Sequence, residues 1–182
     1  MQGGTITMKT LITYKSKTGF AEKYARMIAE ELGCSIIPLK QMTAEKMSEY
    51  DTVVFGGGIY AGSINGLKKA KAMFEKSTAK DFVVFATGGT PNEAASESVK
   101  EMWNVNLGSE AEKIPHFYLQ AGISYEKMSF PDKLLMKMFA SMLAKKKDKT
   151  DTEKEFEEYI RSSYDISDRR FAEVLIAYLS EN

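Results

Sequence analysis

Three short segments place hydroxyls, glycines and aromatic rings directly behind apolar runs, where a folded chain can gather them around a phosphate or a planar ring. The first is Tyr14-Lys15-Ser16-Lys17-Thr18-Gly19-Phe20-Ala21. Its two hydroxyls and glycine stand where a helical pattern begins, so free backbone N–H groups, the helix dipole and side-chain O–H donors can converge on one phosphate through Ser16, Lys17, Thr18, Gly19, Phe20 and Ala21. Capping of the helix by Ser16 or Thr18 explains the same hydroxyls without a ligand. The Walker spacing G-x-x-x-x-G-K-[ST] is missing, which argues against a nucleoside triphosphatase.

The second segment is Gly56-Gly57-Gly58-Ile59-Tyr60-Ala61-Gly62-Ser63. Consecutive glycines let a backbone approach a flat ligand closely, and Tyr60 offers a face for stacking. The segment also fits G-x-G-x-x-A, but that dinucleotide fingerprint needs a helix to open at once, and Gly62 and Asn65-Gly66 interrupt one. A long glycine loop with Tyr60 as a packing residue is the plainer alternative. The third segment is Thr87-Gly88-Gly89-Thr90-Pro91-Asn92-Glu93. Thr90, Pro91 and Glu93 read as an N-cap, first helical residue and capping box, which leaves Thr87, Gly88 and Gly89 for a ligand.

The elements that must position these segments are legible. Lys9–Tyr14 and Ser35–Leu39 are short and β-branched, and Pro38 argues for a sheet edge because it cannot donate to a ladder. The continuous apolar runs Thr52–Phe55 and Phe82–Ala86 have the character of strands covered on both faces, and His116–Gln120 supplies a fifth strand. Ala21, Tyr24, Ala25, Ile28, Ala29 and Leu32 recur at helical spacing and stop at Gly33. Further helical patterns cover 66–76, 93–103, 130–146 and 167–179, with a polar region at 148–158. This alternation predicts an α/β fold, a doubly wound five-stranded parallel sheet with helices on both faces. Such sheets bind ligands at the carboxyl ends of their strands, where all three segments fall.

Twenty-five Lys plus Arg balance twenty-five Asp plus Glu in 182 residues, so no global field draws the chain to nucleic acid. One cysteine, Cys34, and one histidine, His116, build neither a disulfide framework nor a Cys/His zinc site, so no metal is expected. His116 lies in an apolar strand pattern and reads as a packed histidine, and Cys34 as a small packing residue. With no apolar run near the ~20 residues that cross a bilayer, and no signal peptide, a cytoplasmic location is expected. The chain is read as one domain, 1–182, in which 1–7 is a polar leader or cloning remnant and 126–182 a helical part packed on the sheet. Within that part, 130–147 is apolar around most of its circumference and ends in lysines. It could meet a quinone-bearing inner membrane peripherally, or a redox partner. A helix apolar all round is ordinarily buried, and that is the expectation.

With Ser16-Lys17-Thr18-Gly19-Phe20-Ala21 behind the first strand, the chain resembles the flavodoxin-like family, whose phosphate loop reads [ST]-x-T-G-x-[TS]. The resemblance implies the strand order 2-1-3-4-5 and FMN as cofactor. It implies a phosphate held by Ser16–Ala21, and a ring lined by Gly58, Ile59, Tyr60, Ala61 and Gly62 with Thr87, Gly88 and Gly89. Ala21 departs from the pattern, which usually has a hydroxyl there. Tyr50–Gly56, Ile59–Gly62, Ala121–Tyr125 and Thr150–Glu155 look like the branch containing menaquinone-dependent protoporphyrinogen oxidases. The resemblance therefore implies an FMN-dependent electron-transfer protein or small oxidoreductase, working with a redox partner protein or a quinone. Protoporphyrinogen oxidation is the narrower alternative, and a flavin-free partner-binding or regulatory module is the alternative of another class. The residues suggest no general acid.

Overall fold

The computed structural model describes residues 8–90 and 97–181. Five parallel strands form the sheet: β1 (Thr10–Lys15), β2 (Ser35–Pro38), β3 (Thr52–Tyr60), β5 (Asp81–Gly88) and β6 (His116–Gln120). Their order is β2-β1-β3-β5-β6, with the two-residue β4 (Ser63–Ile64) antiparallel to β3. With β4 set aside, this is the expected order, and it reverses direction between β1 and β3. Pro38 lies on an edge strand, opposite Tyr14, where its missing N–H leaves the sheet intact.

Alternation along the strands feeds two cores. Ile12, Tyr14, Val54, Val83, Phe85 and Leu119 meet α1 (Phe20–Leu32) and α7 (Glu173–Glu181) on one face. Leu11, Val53, Phe55, Phe82, Val84 and Ala86 meet α3 (Leu67–Phe74) and α4 (Glu97–Leu107) on the other, with Met47 of the single-turn α2 (Ala44–Met47). Both α1 and α7 turn a side-chain row toward the sheet: Tyr24, Ala25 and Ile28 from the first, Leu175 and Ile176 from the second. The third turn's expected cap starts at Thr90, but Pro91 and Glu93 fall on residues 91–96 and lie outside the described residues.

The C-terminal part divides. While α7 covers the sheet, α5 (Phe130–Lys145) and α6 (Asp151–Tyr159) pack with the small antiparallel pair β7 (Gly122–Ile123) and β8 (Tyr164–Asp165). This separate cluster centres on Ile123, Ala140 and Ile160. The expectation that 130–147 is buried on the sheet needs correcting. Among the large apolar side chains of α5, Phe130, Leu134, Leu135, Met138, Phe139 and Met142 are all exposed, because among the described residues the apolar cluster the helix meets is narrow. The 148–158 region, read as polar linker, is largely helical: Thr150 and Glu153 close a capping box at the start of α6.

Candidate functional site

The β1–α1 turn leaves backbone amides free at a helix start. Gly19 takes φ +99° as the N-cap of α1, a conformation a side chain resists, and its N–H donates to Ser16 Oγ at 3.0 Å. No side chain caps the helix, so neither Ser16 nor Thr18 fills the capping role. The intrahelical series starts with Lys23 N–H donating to the Gly19 carbonyl at 2.9 Å. The amides of Phe20, Ala21 and Glu22 precede it and lie at the positive end of the helix dipole. Ala21 is buried, so what it offers there is its backbone. The only atom near the place of a Gly19 Cβ is Lys127 Nζ, at 3.0 Å.

A cavity of about 360 Å³ opens over this turn. Thr18, Gly19, Phe20 and Lys23 form one side, and Ile123, Ser124, Glu126, Lys127, Ser163, Tyr164 and Asp165 the other. The far wall is held by chemistry from the turn itself. Lys23 Nζ pairs with Asp165 at 2.8 Å, and Ser163 Oγ donates to Glu126 at 2.7 Å. Behind the wall, Tyr24 Oη donates to the Gln120 carbonyl and accepts the Asp168 N–H at 3.2 Å. Burial pushes this phenol up to about 12. Lys127 and the Ser163–Asp165 wall carry no signal in the local sequence. Lys23 and Asp165 are 142 positions apart and meet only because β8 lies beside the sheet's end.

The other two segments correct the glycine argument. Gly56–Gly58 are strand residues, since β3 runs on through Tyr60. A Cβ on Gly56 would sit 2.0 Å from Phe85 Cζ, and one on Gly57 2.7 Å from Ile64 Cγ2. These two glycines make room for neighbouring side chains, not for a flat ligand. Gly58 alone is open, with Thr87 Oγ1 at 3.8 Å as the nearest atom. Ala61 (φ 46°) and Gly62 (φ 77°) form a two-residue hairpin turn between Tyr60 and Ser63, both with the positive φ that a type I′ turn requires.

Thr87 and Gly88 end β5, and Gly89 follows. The carbonyls of this turn already accept protein donors: Gly88 from Ala121 N–H at 2.8 Å, Gly89 from Tyr164 Oη at 3.0 Å and Thr90 from Tyr118 Oη at 2.7 Å. Burial pushes the Tyr164 phenol up to about 12 and raises that of Tyr118 as well, so both remain donors.

Lys17 joins the turn to the hairpin. Its ammonium lies 3.9 Å from the centroid of the Tyr60 ring and 3.6 Å from Asp132 on α5. Tyr60 donates to Asp132, which holds the carboxyl below its usual range and lifts the phenol above its own. Of the expected residues, Thr18, Gly19 and Phe20 line the cavity. Ser16 braces the turn, Ala21 contributes to the helix start, and Lys17 covers Tyr60. Gly58, Ile59, Tyr60, Ala61, Gly62, Thr87, Gly88 and Gly89 are outside the cavity wall. His116 is set against Trp103, ring centroids 4.6 Å apart, with Nδ1 2.8 Å from the Ile114 carbonyl. Cys34 is partly buried against the α1 core, and burial raises its thiol.

The fold and this turn define a doubly wound α/β protein with an uncapped helix start at the reversal of strand order. The chain belongs to the flavodoxin domain family, whose sequence profile matches residues 11–170. It is 36% identical over 90 residues to an uncharacterized protein of Methanocaldococcus jannaschii, a match covering 46% of this chain and 57% of that protein. The chain thus spans just over half the length of this curated relative. Among solved structures it is similar to a flavoprotein in complex with FMN from Lactobacillus acidophilus (TM-score 0.43, 16% identity, 63% of this chain and 93% of that one). It is also similar to oxidised Flavodoxin 1 from Bacillus cereus (TM-score 0.43, 13% identity, 76% of this chain and 99% of that one).

Proposed function

We propose that this protein binds FMN at the carboxyl edge of its sheet and works as a redox protein. One observation carries the reading: an uncapped helix N-terminus, with Lys23 and Lys127 beside it, facing a cavity of about 360 Å³. The donor set suits a phosphate. Backbone amides of Phe20 and Ala21 and the Thr18 hydroxyl are donors at the helix start, and the Lys127 ammonium, close enough to Glu22 to favour its ionised form, adds a charged donor. Lys127, contributed from far along the chain, would supply a charged donor where the family's hydroxyl at the place of Ala21 would supply a neutral one.

The ring end has room at Gly58 and Gly62, where a Cβ would meet no atom closer than 3.8 Å. One face of the Tyr60 ring lies under Lys17, so in this reading the flavin ring would stack on the other. Bound FMN supplies transfer of one or two electrons. This chain's residues orient it: Thr18–Ala21 hold one end, and Lys17, steered by Asp132, places a positive charge between the two halves of the site. Such a charge favours the more negative form of any group bound beside it.

The narrower reading is a quinone as electron acceptor and protoporphyrinogen as donor. It is supported by the order of the four motifs Tyr50–Gly56, Ile59–Gly62, Ala121–Tyr125 and Thr150–Glu155 along the chain. An absorbance spectrum of the protein as purified, repeated after incubation with FMN and desalting, tests the broad reading. Flavin retained near one per chain supports it, and anaerobic assays with menaquinone and protoporphyrinogen then test the narrower one. Failure to retain supplied FMN refutes both and favours a flavin-free partner-binding module.

A further inference from the structure

The sixteen residues of α5 present two faces. Met136 and Ala140 pack in the cluster with α6 and the β7–β8 pair, Leu143 is buried on the same side, and Asp132 is buried against Lys17. The opposite side carries Phe130 (81% exposed), Leu134, Leu135, Met138 (56%) and Met142 (69%), with half-exposed Phe139 at its border, its ring 6.4 Å from that of Phe156 on α6. Six large apolar side chains on one helix of about 24 Å exceed the scattered exposure normal for a monomer surface. Between residues 130 and 149 there are six lysines and two aspartates, in a chain whose charges balance only as a whole. Asp132 is engaged by Lys17, and Lys146 and Lys149 pair with Glu153 and Glu157. Lys137, Lys145 and Lys147 have no ion pair among the described residues.

We propose that α5 is a membrane-docking helix, lying in the interface of an anionic bilayer with its six exposed apolar side chains among the acyl chains and its lysines at the headgroups. Lys137 lies beside the apolar face and Lys145–Lys147 at its end, where long stems can reach the phosphates while the apolar row inserts. Charge selects this occupant over a second copy of the chain. A two-fold interface would set the face on itself and bring like-charged lysines together, whereas anionic lipid complements them. The helix is too short to span, and among the described residues no helix is long and apolar enough to cross a membrane.

Docking also has a consequence for the site. Phe130 stands two residues before Asp132, which touches Lys17 and Tyr60, so the first turn of α5 ties the lipid-facing surface to the edge of the sheet. Membrane binding itself does not depend on flavin. Only the delivery of a lipid-dissolved substrate to that edge rests on the redox reading.

The test is co-sedimentation of the full chain with vesicles of phosphatidylcholine alone and of equimolar phosphatidylcholine and phosphatidylglycerol. Binding is expected to the anionic vesicles, far less to the neutral ones, and to weaken with salt. Reversing Lys137 and Lys145 with Lys137→Glu/Lys145→Glu lowers partitioning about fivefold or more for each lysine. Leu134→Glu/Met138→Glu, both at exposed positions, lowers it more than about tenfold by removing apolar insertion. Circular dichroism checks that the variants fold, and Met142→Trp reports insertion by a blue shift of its emission on anionic vesicles only. The proposal is overturned if anionic vesicles bind nothing, or if Leu134→Glu/Met138→Glu binds like the parent. It is equally overturned if the face proves to be a dimer contact, dissolved by the same variant in sedimentation equilibrium, with no lipid binding.

Discussion

Replacing Tyr24 with Phe removes one oxygen atom from a fully buried side chain and leaves the ring in place. The Gln120 carbonyl loses the Tyr24 donor, and the Asp168 N–H, on an exposed residue, exchanges its acceptor at 3.2 Å for water. Losing a hydrogen bond at a buried carbonyl costs about 1–3 kcal/mol, so a loss of about 2 kcal/mol is expected. At 182 residues each kcal/mol corresponds to about 2–4 °C, which gives a fall of about 4–8 °C in melting temperature.

The effect should depend on pH. Burial lifts the native phenol from 10.0 to about 12. Below the lower value both folded and unfolded chains keep the proton and the contribution is intact. As pH rises from there the unfolded chain releases its proton first, and stability falls until the native phenol also ionises. Tyr164, also lifted to about 12 by burial, adds a parallel loss. Tyr24→Phe should therefore be less stable than the parent at neutral pH and show a shallower alkaline decline. Scanning calorimetry or circular dichroism melts from neutral pH into the alkaline range measure both. The clamp also fixes Asp168, close to the Asp165 that pairs with Lys23, so flavin affinity should weaken in the same variant. An unchanged neutral-pH melting temperature, or an unchanged alkaline slope, would refute the reasoning.

Three further outcomes are expected. Lys127→Ala should weaken FMN about fivefold and leave riboflavin unaffected in fluorescence titrations, because only FMN carries the phosphate that this exposed ammonium meets. Gly56→Ala places a methyl 2.0 Å from Phe85 Cζ and should destabilise by about 1–3 kcal/mol in urea titrations, with partial rescue by Phe85→Leu. Thr13→Val removes a buried hydroxyl without a hydrogen-bond partner and should raise stability by about 1 kcal/mol, read as a rise in urea midpoint at constant slope.

The strands were readable because a buried parallel strand must be apolar on both faces, and Val53-Val54-Phe55 and Phe82-Val83-Val84-Phe85 leave no other assignment as natural. The glycine run was misread because a glycine that admits a ligand and one that admits a neighbour's ring are identical in sequence. Phe85 decides between them, and it comes from another strand. The α6 cap did have a local signal, Thr150 followed three residues later by Glu153. The burial of α5 had none: an apolar helix reads the same whether its neighbours cover it or leave one side bare.

The sequence by itself determined the alternating elements and the β1–α1 turn, since each depends on periodicities and turn residues within a few positions of one another, while the sheet order followed from the family resemblance. Only the tertiary structure decided that Lys127, Ser163 and Asp165 stand opposite that turn, that Lys17 covers Tyr60, and that one face of α5 is left without a partner. The physical reason is distance along the chain. Lys23 and Asp165 meet across 142 residues, and such a contact is set by how whole elements pack, which no local pattern records.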